Sequence, residues 1–478
     1  LSWFTMHFVY SLQQSLSFRL FRGYLYKPYN FYLDSNSSQL IKNTTFESGN
    51  LSNVVLAASY LIAELLVVIG MCVLLIYYQP TAAISVIVFL GILSIVFYLN
   101  IRNFNLKWGK EREYFENNRI KRIQQGIGAI QEVKVLNREE DFLKLYNHEN
   151  TGLARVSKLQ NFIIALPRFY LELAGVMGLS LLIIILVLNG TPNASIITTL
   201  AIFGAAAFRI IPSINRIISA LSQIRYYTPS INIIYEQLKD LNSQEYIISD
   251  QRKLNFKNSI KICDLSFKYN NSSETPTIID LDLEIKKGQL IGIGGKSGSG
   301  KSTFINLFLG LLEPSNGSII VDGINIKDNL QSWRNNIGFV PQNIYLIDDT
   351  IRRNISLGVP DEDVEEDKIR SALELSQLDE FIPLLENGLD TIVGERGIRL
   401  SGGQLQRVGI ARSLYHNPDI LVLDEATNSL DYKTEEMVLS SLRKLQGTKT
   451  IILISHRKNT LEFCDKVVTF SSGKISIN

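Results

Sequence analysis

Residues 290–309 read Leu-Ile-Gly-Ile-Gly-Gly-Lys-Ser-Gly-Ser-Gly-Lys-Ser-Thr-Phe-Ile-Asn-Leu-Phe-Leu. Leu290-Ile291-Gly292-Ile293 is a short apolar run of the kind that buries in a parallel sheet. Thr303-Phe304-Ile305-Asn306-Leu307-Phe308-Leu309 is helix-like. Between them, residues 295–302 fit G-x-x-x-x-G-K-[ST]. Glycines in such a loop let backbone N–H groups curl around phosphate oxygens, and the start of the following helix adds the positive end of its dipole. Gly295, Lys296, Ser297, Gly298, Ser299, Gly300, Lys301, Ser302 and Thr303 are therefore the candidate nucleotide-phosphate loop. Lys301 is expected to contact the β- and γ-phosphates, and Ser302 to ligate Mg2+. The order strand, loop, helix predicts an α/β P-loop domain.

Downstream, residues 420–425 read Ile-Leu-Val-Leu-Asp-Glu. A buried parallel strand opens at its C-terminal end onto the ligand crevice. That end would carry Asp424 as an outer carboxylate of the Mg2+ site and Glu425 as the group that polarises an attacking water. Residues 400–404 read Leu-Ser-Gly-Gly-Gln. Ser401, Gly402 and Gly403 open a helix, and their N–H groups with the Ser hydroxyl form a second anion site.

The pentapeptide 400–404 resembles the signature of ATP-binding-cassette proteins, and further motifs of that family follow its order across residues 258–478. Gln342 in Val-Pro-Gln resembles its Q-loop, Ser429-Leu430-Asp431 its D-loop, and His456 in Ile-Ser-His its switch histidine. Tyr269 in Phe-Lys-Tyr is similar to the aromatic that stacks on adenine. Asn428 and Ser429 stand before Leu430 where Ser-Ala is commoner, and Ser455 precedes His456 where Ala is commoner. The resemblance implies ATP and Mg2+ as cofactors and Glu425, His456 and Gln342 as the catalytic set. Gln342 then also faces the metal, beside Ser302 and Asp424. Ser401, Gly402, Gly403, Gln404 and Asp431 would contact ATP held by another subunit. One chain has one phosphate loop and one signature, so a second half-transporter is implied, with a homodimer as the expectation. Residues 391–397, Thr-Ile-Val-Gly-Glu-Arg-Gly, resemble the X-loop of exporter-type cassettes.

Upstream the character of the chain changes. Of its 478 residues 46% are hydrophobic and only 20% charged, and mean hydropathy is +0.10. Long apolar runs dominate residues 51–223. Runs 54–78, 81–101, 171–188 and 194–220 are each long enough to cross a bilayer core of about 30 Å. The turns at 79–80 and 189–193 are short and uncharged, whereas 102–158 carries many Lys and Arg. Positive loops stay inside, so the long connection is cytoplasmic. The reading is a multi-pass protein of the cytoplasmic (inner) membrane with its ATP-binding domain in the cytoplasm. A net charge of +2 gives no sign of a nucleic-acid partner. Cys72, Cys263 and Cys464 are far apart and suggest neither a disulfide framework nor a zinc site.

The fold class expected is an α-helical, exporter-type transmembrane domain followed by the α/β nucleotide-binding domain. Boundaries fall at 1–245 for the membrane domain, 246–257 for a linker and 258–478 for the ATP-binding domain. Residue 1 is Leu, and the apolar, aromatic stretch 1–21 is interrupted by Gln13, Gln14 and Arg19. It reads as the inner end of a span, which makes the membrane domain N-terminally incomplete. By analogy with exporters, residues 29–33 and 130–138 would be coupling segments.

Charges inside spans are costly and mark function. Arg209 and Arg216 are seven residues apart and share a helix face. Arg209 would lie about 22 Å from the outer end of its span. With Arg168 they could converge on a cavity facing the inner leaflet, where guanidinium suits phosphate. The bland alternatives are snorkelling to headgroups and an i,i+4 pair between Arg168 and Glu172. Residues 165–172, Ala-Leu-Pro-Arg-Phe-Tyr-Leu-Glu, and 209–217, Arg-Ile-Ile-Pro-Ser-Ile-Asn-Arg-Ile, resemble lipid-linked oligosaccharide flippases of bacterial protein N-glycosylation. That resemblance implies an anionic, polyprenyl-pyrophosphate-linked substrate moved outward through membrane lipid. The alternative is export of another lipid, a peptide or a drug.

Overall fold

The computed structural model describes residues 2–188, 192–242, 253–269 and 276–477. Most of the stretch read as linker, 246–252, and residues 189–191 of the second short turn lie outside them. The chain divides into two compact units, Leu1–Tyr246 and Ile247–Asn478.

The described residues of the first unit form helices joined by short turns. It runs α1 (Ser2–Leu25), α2 (Tyr29–Asp34), α3 (Ser37–Lys42), a π-helical turn (Asn43–Glu47), α4 (Ser48–Tyr78), α5 (Pro80–Gly128), α6 (Ile130–Val135), α7 (Glu139–Leu188), α8 (Asn193–Tyr226) and α9 (Thr228–Asn242). Pro80 sits in the first turn of α5, where its missing N–H costs nothing. Gln79 just before it donates to the Thr199 hydroxyl at 2.9 Å, tying this turn to α8. At 49 and 50 residues, α5 and α7 are each about 75 Å long, more than twice a hydrocarbon core. Half of each helix therefore continues beyond the membrane. Among the described residues four helices are long and apolar enough to cross one. Residues 29–33 and 130–138, read as coupling segments, overlap the short helices α2 and α6.

Two kinds of contact hold this unit. Apolar clusters centred on Leu90, Phe203 and Ile210, and on Ile101, Leu171 and Ile218, join α5, α7 and α8. The extension of α5 instead carries a polar knot. Buried Arg112 donates to Ser230 at 2.8 Å and faces Glu47 and Glu116, each at 3.7 Å. It also stacks over Tyr226 and Tyr227. Buried Lys42 pairs with Glu47 and Glu113.

The second unit has two sheets. The first is antiparallel, in the order β2-β1-β4-β5, from β1 (Ser259–Phe267), β2 (Ile278–Lys286), β4 (Asn316–Val321) and β5 (Ile324–Asn325). The second runs β10-β9-β3-β8-β7-β6, from β3 (Leu290–Gly295), β6 (Ile337–Val340), β7 (Ile420–Asp424), β8 (Thr450–Ile454), β9 (Lys466–Ser471) and β10 (Lys474–Ile477). All its pairings are parallel except β9 with β10. Leu421, Val422, Ile451 and Ile452 are fully or almost fully buried, which is why these strands read as unbroken apolar runs. Leu254 and Phe256 correct the expected boundary. They lie in the stretch read as linker, yet both belong to this unit's core, and the Asn336 amide donates to Leu254 O at 2.7 Å.

Candidate nucleotide-hydrolysis site

The parallel sheet sets four motifs side by side. In neighbouring strands Val340 pairs with Leu423, Asp424 with Ile454, and Ile293 with Ile454. The chain leaves the C-terminal ends of β6, β7, β8 and β3 as Gln342, Glu425, His456 and the phosphate loop. Adjacent strands lie about 4.8 Å apart, so their exits form one row at the crevice edge.

The phosphate loop connects β3 to α10 (Lys301–Phe308). Gly298 and Gly300 have φ of +77° and +105°, values that only glycine adopts freely. Lys301 is buried and arches over its own loop, donating to Gly295 O and Lys296 O at 2.9 Å each. Burial lowers the pKa of its ammonium, opposed by Glu425 and Asp424. The Ser299 hydroxyl is buried without a hydrogen-bond partner. An orphaned donor and a lysine held only by carbonyls fit a phosphate ligand, which supplies acceptors to both. Tyr269 sits beside this helix, its ring edge-on to Phe267 and its hydroxyl 3.3 Å from that of Thr303.

Glu425 is the hub. Its φ is +51°, a left-handed conformation uncommon for a non-glycine residue. Its N–H donates to Ile454 O at 3.1 Å, fastening the turn to the end of β8. Gln342 and Asn428 each donate an amide N–H to Oε2 at 2.8 Å, and His456 Nε2 lies 2.9 Å from Oε1. Beside it the Asp424 carboxyl is pushed up to about 6, chiefly by burial and then by the Glu425 charge, while Lys301 opposes the shift. A group that must be ionised to hold a cation loses that capacity once protonated. Mg2+-dependent ATP binding is therefore expected to weaken as pH falls through about 6, more steeply than metal-free nucleotide binding. Titration calorimetry with and without Mg2+ checks this.

Other predicted residues have structural duties. Ser401 caps the helix Gly402–Tyr415 in a reciprocal box: its Oγ accepts from Gln404 N at 3.3 Å, and Gln404 Oε1 accepts from Ser401 N at 2.8 Å. Gln404, expected to contact nucleotide, thus turns back onto its own backbone. Asp431 caps the helix Tyr432–Lys444 by accepting from Thr434 N at 3.0 Å, and these bonds hold its carboxyl below the ordinary range. Gln406 Oε1 accepts from Ser429 N at 3.0 Å, joining signature helix and D-loop. Among the described residues no hydrogen bond or ion pair links 401–404 to 295–303.

Sequence reasoning did not find Glu435. Its buried carboxylate accepts from Thr427 Oγ1 at 3.0 Å, from Thr460 Oγ1 at 3.1 Å and from Arg457. Arg457, next to His456, also donates to Asn428 O at 3.1 Å. Glu435 thereby fastens the loops that carry Asn428 and His456. Glu435→Gln is expected to lower kcat about 10- to 100-fold by loosening Glu425's partners, with KM for ATP within about twofold. Steady-state ATPase assays check this; an unchanged kcat, or a loss confined to KM, contradicts it.

In the membrane unit, Arg168 and Arg216 line one cavity of about 650 Å3 between α7 and α8. Arg209 is exposed and lies off it, which corrects the three-arginine cluster. Seven residues keep a helix face but separate the two side chains by about 10 Å along the axis. Each cavity arginine already has a carboxylate: Arg168 donates to Glu172 at 2.9 Å, and Arg216 to buried Glu64 of α4 at 2.6 Å.

Comparison with known proteins agrees with this architecture. A family model of the ABC transporter transmembrane region matches residues 2–211, and one of the ABC transporter matches residues 278–428. An ATP-dependent lipid A-core flippase of Vibrio vulnificus (strain YJ016) is 41% identical over 220 residues, 46% of this chain and 37% of that protein. A Staphylococcus aureus (strain NCTC 8325 / PS 47) protein, provisionally named as a multidrug export ATP-binding/permease protein, is 43% identical over 217 residues, 45% of this chain and 37% of that one. The matched stretch thus spans little more than a third of either relative. A bacterial Atm1-family ABC exporter solved with ATP bound shares the fold, with a TM-score of 0.84 and 22% identity over 98% of this chain and 82% of that one. Residues 2–211 thus match the ABC transporter transmembrane region and residues 278–428 the ABC transporter domain, a helical unit followed by an α/β nucleotide-binding domain in the fold of an exporter subunit.

Proposed function

We propose that this chain is one half of an ATP-driven exporter that moves an amphiphile outward across the cytoplasmic membrane. The observation that carries the reading is Glu425, held by Gln342, Asn428 and His456 at the crevice edge of a chain whose described residues include four helices long and apolar enough to cross a membrane. ATP would sit on residues 295–303 with its adenine against Tyr269. Mg2+, held by Ser302, Asp424 and Gln342, would supply charge neutralisation for phosphoryl transfer. Glu425 orients and polarises the attacking water, and His456 steadies it from the opposite carboxylate oxygen. Residues 401–403 offer a second anion site at a helix start, which favours a second copy of the chain completing the site. A homodimer is the simplest such partner.

Lipid export is supported by the name of the Vibrio relative and by a cavity with a polar end and an apolar wall. The narrower reading, a polyprenyl-pyrophosphate-linked saccharide, draws on Arg168 and Arg216 and on the resemblance of residues 165–172 and 209–217. Multidrug export is the second reading, favoured by the name of the Staphylococcus relative. Purified protein in liposomes tests the class. ATPase stimulation by lipids but not by amphipathic drugs is the result expected. Stimulation by drugs alone would overturn lipid export.

A further inference from the structure

The cavity between α7 and α8 has a definite polarity. The two helices run in opposite directions, so Arg168 and Glu172 near the start of one apolar run meet Asn215 and Arg216 near the end of the other. From this end, the wall of Val176 and Phe208 extends about 12 Å along the helices. Arg216 lies about 33 Å along α8 from the start of its apolar run, just past a hydrocarbon core of about 30 Å and so at the depth of the inner headgroups. The site therefore has the layout of one lipid, with headgroup inward and chains along the wall.

The charges are balanced. Two guanidiniums face two carboxylates, Arg168 with Glu172 and Arg216 with Glu64. Two further acceptors, Glu64 Oε2 and Asn215 Oδ1, are buried without partners. A bare polyanion that drew Arg216 away would strand the Glu64 carboxylate in the span, a costly state for a buried charge. A headgroup with its own cation avoids this: Arg216 keeps its bond to Glu64 and gives its remaining N–H donors to the phosphate, while the ammonium takes over Glu172 as Arg168 turns to the phosphate. Three N–H donors on a primary ammonium also suit Glu172 and the orphaned Asn215 oxygen, whereas a trimethylated amine has none to give.

We infer that this cavity receives a zwitterionic amphiphile, whose phosphate sits on Arg168 and Arg216 and whose primary ammonium sits on Glu172 and Asn215. This rests on the exporter reading and narrows its substrate class. The test is lipid retention by the purified protein in native mass spectrometry. The probes are phosphatidylethanolamine, phosphatidylcholine, phosphatidylglycerol and a polyprenyl pyrophosphate, matched in concentration. Phosphatidylethanolamine is expected to be retained about fivefold over each of the others. Glu172→Gln is expected to erase its advantage over phosphatidylcholine. Equal retention of phosphatidylglycerol, tighter retention of the pyrophosphate, or a preference that survives Glu172→Gln would overturn the inference. ATP hydrolysis by the same wild-type sample separates the two claims. Hydrolysis without the lipid preference sinks the headgroup assignment alone, and absence of hydrolysis sinks the exporter reading.

Discussion

Glu425→Gln is expected to lower kcat for ATP hydrolysis about 10^2- to 10^4-fold while leaving ATP bound. The amide keeps the size of the carboxylate and can still meet Gln342, Asn428 and His456. It cannot polarise a water by accepting its proton. A thousandfold loss corresponds to about 4 kcal/mol of barrier. Binding is spared because the phosphates rest on residues 295–303, not on Glu425. Single-turnover hydrolysis and equilibrium ATP binding separate the two quantities. Hydrolysis at the wild-type rate would remove Glu425 from the catalytic role, and loss of binding would make it a structural residue.

Lys301→Ala is expected to act on the other quantity. Lys301 holds its ammonium against two loop carbonyls at 2.9 Å, ready to exchange them for phosphate oxygens. Each charge-assisted hydrogen bond is worth about 1.5–3 kcal/mol, so ATP affinity is expected to fall roughly 10- to 100-fold. Removing the side chain also opens a gap in the loop, so a Lys301→Met variant, which keeps the stem but not the ammonium, should accompany it. Direct binding of labelled ATP checks the result, and wild-type affinity in both variants would contradict the phosphate-loop assignment.

The motifs of the nucleotide domain were legible because each is short and local. The phosphate loop needs glycine at three positive φ values, and a buried parallel strand such as β7 or β8 leaves an unbroken apolar run. The four spans were legible for the same reason. What sequence reasoning missed was made by distant residues. Glu64 and Arg216 are 152 positions apart, and nothing local joins them. Glu435 is an ordinary acidic residue of an amphipathic helix until the fold brings Thr427, Arg457 and Thr460 to it. The capping role of Gln404 was also legible, because Ser-x-x-Gln at a helix start is itself a capping-box pattern. Arg209 shows the limit of face arguments: helical periodicity fixes the side of the helix but not the depth. Leu254 and Phe256 were hidden because two apolar residues among polar ones leave no periodic signal.

The central claim, ATP-driven outward movement of a lipid-class amphiphile, is tested most directly in proteoliposomes. A fluorophore-labelled phosphatidylethanolamine would be placed in the leaflet on the side of the nucleotide-binding domains, and its arrival in the opposite leaflet followed by chemical quenching. Movement is expected to require Mg2+ and ATP and to fall to the protein-free rate in Glu425→Gln. Movement of equal rate without ATP, or in the Glu425→Gln protein, would contradict it.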